Sequence, residues 1–230
     1  LDVQITPFNV QLYFREPVLN TDKLESAFSE SAGFSSRTVA EDYGTHPMQG
    51  TMSFFRQGFR IGAVQSNALP FRILQVMRYP NALQIPDSDT IACLHYVARS
   101  LKQHLNINVE EDIYSVRVVF HSIVTGSVDV QRILSRLSRI DTISTLDGKY
   151  VGHINPMDAI KLTSKTWGEL VHGFWNDIRV SQFNTNSYVV TIFNETDSLV
   201  ASLEFIGSAK RFVATLMQEM EAAAAAESTP

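Results

Sequence analysis

The 230-residue chain has a single cysteine, Cys93. No internal disulfide can form, which is the pattern of a reducing compartment, and a cytoplasmic protein is expected. Cys93 falls between apolar residues of a predicted helix and reads as a small core residue rather than a nucleophile. No apolar run approaches the roughly 18 residues that a membrane span needs. The opening segment LDVQITPFNV lacks the basic start and apolar stretch of a secretory signal. It begins on Leu rather than Met, as a processed chain would. Charged residues make up only 19%, below the usual quarter. The 14 Phe are expected chiefly to fill the core, with apolar surface kept for a partner as the alternative reading.

Catalytic punctuation is missing too. The histidines, His46, His95, His104, His121, His153 and His172, show no HExxH or helical HxxxH spacing, so no local zinc site is encoded. Cys93 and His95 are two apart; on a helix that separates them by roughly 200°. No GxSxG, GxxxxGK[ST] or GxGxxG is present, so neither a nucleophile elbow nor a phosphate-cradling loop is indicated. No cofactor is expected. Glu41, Asp42 and His46 are the closest cluster of ligand types, beside Gly44 and Pro47, and read as a turn with a solvated acidic pair. They are also the candidates for an enzyme whose site assembles only in three dimensions. Asn194-Glu195-Thr196 matches a glycosylation triplet, a chance match in a cytoplasmic chain.

A global basic field is absent, because the net charge is −5. It is unevenly placed: residues 1–106 hold 9 Lys/Arg and 9 Asp/Glu, and the remainder 10 and 15. Nucleic acid would therefore need a local patch.

What is present is periodicity. Val10, Leu12 and Phe14 alternate with Gln11, Tyr13 and Arg15, as in a strand. Asn20-Thr21-Asp22 offers helix caps before Leu24, Ala27 and Phe28. Extended runs follow over about Ser36–Tyr43, Gly50–Gln57, Phe59–Ser66 and Leu69–Tyr79. A helix after Asp87-Ser88-Asp89 has Ile91, Leu94, Val97, Ala98, Leu101 and Leu105 on its apolar face.

The pattern then restarts. A shift of 106 positions puts Val10 on Val116, Leu12 on Val118, Phe14 on Phe120, Val18 on Val124, and the cap Thr21 on Ser127. Leu24, Ala27 and Phe28 fall on Val130, Ile133 and Leu134, without a gap. Further extended runs reach Leu199–Ile206. A last helix begins near Ser208, with Phe212, Val213, Leu216, Met217 and Met220 on one face, and runs into an alanine tract.

The expected architecture is α+β: two tandem β-α-β(3-4)-α repeats, with helices packed on one face of an antiparallel sheet. Residues 1–106 form the first repeat, 107–222 the second and 223–230 a frayed tail. The two starts, VQLYFREPVLNTDKLESAF and VRVVFHSIVTGSVDVQRIL, with the order of elements after them, resemble the TATA-box-binding-protein-like group in topology. They are also similar to bacterial two-repeat proteins of comparable length. No signature motif comes with the resemblance, so it assigns no site residue. It implies a curved sheet whose uncovered face, or whose cleft between repeats, is the binding surface.

Three surface features stand out. Arg56, Arg60, Arg72 and Arg78 interleave with Phe54, Phe55, Phe59, Phe71 and Tyr79, as stacking on bases or an anionic ligand would use. Arg72 and Arg78 share one strand side opposite Phe71, so one sheet face is expected to be basic while the other packs helices. Arg132, Arg136 and Arg139 form a helical stripe opposite Val130, Ile133, Leu134 and Leu137. The stretch WGELVHGFW carries Trp167 and Trp175, candidate aromatic anchors. Glu110, Glu111 and Asp112 read as a solvated acidic linker between the repeats. The leading reading is a non-enzymatic binding or assembly protein, engaging a protein partner, another copy of itself or an anionic ligand. Nucleic-acid binding through the first-repeat arginines is the alternative, and no membrane partner is expected.

Overall fold

The computed structural model describes residues 1–6, 8–16, 21–29, 35–39, 42–43, 46–47, 51–56, 58–64, 72–78, 87–126, 133, 143–144, 150–155, 159–164 and 175–226. In chain order the elements are β1 (Asp2–Ile5), β2 (Asn9–Phe14), α1 (Thr21–Ala27), β3 (Ser35–Val39), β4 (Asp42–Tyr43), β5 (His46–Pro47), β6 (Thr51–Arg56), β7 (Phe59–Val64) and β8 (Ile73–Arg78). Then come α2 (Asp87–Leu105), α3 (Val109–Asp112), β9 (Ile113–Thr125), β10 (Tyr150–Asn155), β11 (Ala159–Ser164), β12 (Trp175–Asn184), β13 (Ser187–Thr196) and α4 (Leu199–Ala226). The protein is α+β, with antiparallel sheet and helices on one side of it. No described helix is long and apolar enough to cross a membrane.

Two compact units emerge. The N-proximal unit comprises Pro7–Val118 and Thr196–Glu204; the C-proximal unit comprises Leu1–Thr6, Val119–Glu195 and Phe205–Pro230. In the N-proximal unit the strand order is β9-β2-β8-β7-β6-β3, with β4 and β5 paired separately. In the C-proximal unit it is β10-β11-β12-β13-β9, and β1 pairs antiparallel with β9, Ile5 opposite Ser122.

Alternation decides what the N-proximal sheet buries. Cross-strand register aligns Val10, Val76, Ile61 and Phe54 in one row across β2, β8, β7 and β6, and all four are buried. Helices cover that row. Leu24 and Ala27 of α1 and Leu94, Val97 and Leu101 of α2 are buried, and the Phe28 and Phe54 rings lie 5.3 Å apart. Each such side chain contributes about 1.5–3 kcal/mol on leaving water. The predicted α2 stripe is thus the observed one. The helix stops where Asn106 takes a left-handed φ of 58°, a conformation Asn tolerates better than most residues. The Ile107 N–H then donates to the Leu101 carbonyl at 3.2 Å. This turn folds Ile107 and Val109 inward, where both are buried.

In the C-proximal unit, Ile178, Val180, Val190 and Ile192 of β12 and β13 are buried, with Phe120 and Val124 of β9. Ile206, Val213, Leu216, Met217 and Met220 of α4 are buried too, and the Phe120 and Phe205 rings lie 6.0 Å apart.

The run Leu199–Ile206, expected as a strand, is the start of α4. Its buried residues Leu199, Ser202, Leu203 and Ile206 recur at helical rather than alternating spacing. Ser198 is the N-cap: its Oγ accepts the Ala201 N–H at 3.3 Å. Strand β1 was not expected at all.

Candidate functional site

The outward face of the N-proximal sheet is built from the odd residues of β2 and β8. Register sets Phe55, Arg60, Met77 and Asn9 in one transverse row, and Gln75 opposite Gln11 in the next. Phe55, Arg60, Met77, Asn9, Gln11 and Gln75 are all half-buried, as expected on a sheet face that helices do not cover. Side-chain bonds tie the face together. Gln75 Nε2 donates to Asn9 Oδ1 at 2.9 Å, and the Tyr13 hydroxyl donates to Gln11 Oε1 at 2.7 Å.

Tyr13 is the centre of an aromatic–cationic group. The Arg117 guanidinium carbon sits 5.3 Å from its ring centroid, and the Tyr114 ring is tilted at 55° with centroids 5.8 Å apart. Residues 114 and 117 would face opposite ways on a regular strand. They share a ring here because Ser115 and Val116 are consecutive buried residues, so the alternation of β9 slips by one. Tyr114 remains 41% exposed.

The expected row of four arginines is split between faces. Arg60 is outward. Arg72 and Arg78 share a strand side, but it is that of Leu74 and Val76, the buried side. Period two fixes which residues go together and leaves open which side is covered. Arg78 lies across from Phe59 in register and stacks on it at 5.5 Å. It is 6% exposed, and among the described residues neither Nε nor Nη2 has a hydrogen-bond partner. Burial lowers its pKa, and the charge of Asp89 works in the other direction. Arg72 Nη2 is 4.0 Å from Glu16 Oε2. Arg56 occupies the register position opposite Phe59 on β6, and Trp175 begins β12. Arg132, Arg136, Arg139 and Trp167 lie outside the described residues, as does Glu41. Asp42 and His46 fall in the β4–β5 pair, Asp42 opposite Pro47 and His46 opposite Tyr43. Among the described residues no group of three His, Cys, Asp or Glu is placed to hold a metal ion.

A second surface of the same unit is a groove of about 330 Å³ between α2, the 107–110 turn and the first turn of α4. His95, Arg99 and Lys102 line one side, and Leu199, Val200 and Leu203 the other. Glu110 belongs to its wall but is committed: it accepts the Val200 N–H at 3.0 Å and the Ser198 hydroxyl at 3.1 Å. The expected acidic linker is therefore partly a capping device. Asp112 Oδ2 likewise accepts the Asn108 N–H at 2.7 Å. The spacing of positions 95, 99 and 102 along α2 was visible in the sequence; that α4 would start beside them was not.

No family model matches the chain, and no curated protein matches it. Among solved structures, DynU16, described as a putative protein in the dynemicin biosynthetic locus, is similar at a TM-score of 0.25 and 9% identity, covering 97% of this chain and 99% of its own. The di-domain ARO/CYC StfQ from the steffimycin biosynthetic pathway is similar at 0.23 and 9%, over 98% and 97%. The di-domain ARO/CYC BexL from the BE-7585A biosynthetic pathway is similar at 0.22 and 8%, over 100% of both chains.

Proposed function

We propose that the protein is a non-catalytic binding module whose outward N-proximal sheet face engages an acidic surface of a protein partner. The observation that carries this is the Arg117–Tyr13–Tyr114 group, which places a guanidinium and an exposed aromatic ring side by side on a sheet face. Tyr and Arg are the residue types that most often dominate interface energies. Arg60, set between Phe55 and Met77, extends the same chemistry across the next strands.

Reading the chain as an internal duplication favours a scaffold role. The 106-residue offset matches buried Val10, Leu12 and Phe14 with buried Val116, Val118 and Phe120. The helices α2 and α4 close the two series of strands in the same order, though not at that offset. The order of elements resembles that of the TATA-box-binding-protein-like group, a fold plan that serves binding as well as assembly.

The test is a photoreactive benzoylphenylalanine placed at Tyr114 and, as control, at Phe183, an exposed residue of β12. In the cells that make the protein, irradiation is expected to yield a discrete protein adduct from position 114, abolished by Arg117→Glu and absent from position 183. No adduct at 114, or the same adducts from both positions, overturns the reading. An adduct that nuclease removes assigns the face to nucleic acid instead.

A further inference from the structure

The groove beside α2 has a chemistry of its own. Its floor is apolar: Ile107, Val109, Leu199 and Leu203 are all buried. At its lip Val200 is 55% exposed, one of the few large apolar side chains so displayed. The opposite lip is cationic. Arg99 and Lys102 are one helical turn apart on the same face of α2, and both are exposed. Among the described residues neither makes an ion pair or a side-chain hydrogen bond. The one carboxylate in the wall, Glu110, is held by the α4 cap. Two unneutralised cations thus overlook an apolar trough, at the lower end of the ~300–1,000 Å³ range of small-molecule sites.

We propose that this groove binds a small amphipathic anion, with its apolar chain along Ile107, Leu199 and Leu203 and its oxyanion headgroup between Arg99 and Lys102. Guanidinium and ammonium together suit either a carboxylate or a phosphate, each through charge-assisted hydrogen bonds. Val200 covers the chain from the solvent side. The site does not depend on the sheet face, and its variants leave Tyr13, Tyr114 and Arg117 untouched.

The experiment is an amide-detected NMR titration of the full chain with octanoate, with octyl phosphate and with neutral octanol, each below its aggregation limit. At least one of the two anions is expected to give saturable shifts confined to residues 95–110 and 199–203. The tighter of the two identifies the headgroup. Binding is expected to weaken at least tenfold in Arg99→Glu/Lys102→Glu, two exposed positions whose exchange leaves the core intact. Val200→Asp, which sets a carboxylate on the other lip, is expected to weaken it as well. Octanol is expected to bind at least tenfold less tightly than the anion. The proposal is overturned if neither anion saturates, if octanol matches them, or if the charge-reversed variant binds equally well. Saturation by an acidic amphipathic peptide when both anions fail also overturns it.

Discussion

Glu110 holds the start of a helix that lies ninety residues further along the chain: its carboxylate accepts the backbone N–H of Val200 at 3.0 Å. The first N–H groups of a helix have no partner within it, and a carboxylate there also meets the positive end of the helix dipole. The second oxygen accepts from Ser198, the N-cap residue itself.

Glu110→Ala is accordingly expected to lower stability by about 1 kcal/mol. Glu110→Gln should lose less, since its amide oxygen can still accept one bond. Urea denaturation gives the comparison. Equal midpoints for wild type and both variants would show that the contact is not stabilising. Hydrogen exchange at Val200 should accelerate in Glu110→Ala before exchange in the middle of α4 does.

Arg78 makes the opposite kind of prediction. A buried guanidinium with two nitrogens that find no acceptor among the described residues is costly, and stacking on Phe59 returns only about 0.5–2 kcal/mol. Arg78→Met keeps most of the volume and removes the charge, so it is expected to be neutral or stabilising by about 1–2 kcal/mol. Arg78→Ala leaves a void beside Phe59 and is expected to destabilise. Thermal unfolding of the pair decides it: a strongly destabilised Arg78→Met would mean that the guanidinium has an acceptor.

Glu221 supplies a pH dependence. Its Oε1 is buried without a hydrogen-bond partner among the described residues, and a Cβ added at Gly126 would lie 2.5 Å from that oxygen. Burial raises the Glu221 pKa, and the Leu1 ammonium pulls it back in part. A carboxyl whose pKa is higher in the folded than in the unfolded state favours folding while it is protonated. That contribution is present below the unfolded value, near 4.3, and is lost as pH rises through the folded value. Glu221→Gln is therefore expected to be the more stable protein at pH 7, with the difference shrinking as pH falls through the folded value and closed below about 4.3. A difference independent of pH would place the effect elsewhere than in ionisation.

Much of the architecture was legible because amphipathic periodicity writes it directly. Val10, Leu12 and Phe14 declare β2, and Leu94, Val97 and Leu101 declare the covered face of α2. The readings that differed depended on facts remote in sequence. Leu199–Ile206 contains apolar residues compatible with either period, and its helical state is set by Ser198 and by a carboxylate ninety residues away. Arg72 and Arg78 were correctly placed on one side of β8, but which side the helices cover is decided by Leu74 and Val76. Strand β1 has only Val3 buried and is held by pairing with β9, a partner its own residues do not announce. The groove cations were countable on α2, yet only the three-dimensional position of α4 makes them a lip.

The slipped alternation at Ser115 and Val116 sets β9 apart from β2. On the 106-residue offset Tyr114 corresponds to Phe8, which is buried. Every buried residue from Val116 to Val124 keeps the phase of Val10, Leu12 and Phe14; before the slip Ile113 and Ser115 are buried on the other phase and Tyr114 is turned out. Phe8, just ahead of β2, is kept in the interior, whereas Tyr114, at the start of β9, is displayed. One irregular step in a backbone is enough to move an aromatic ring from the covered side of a strand to its open one.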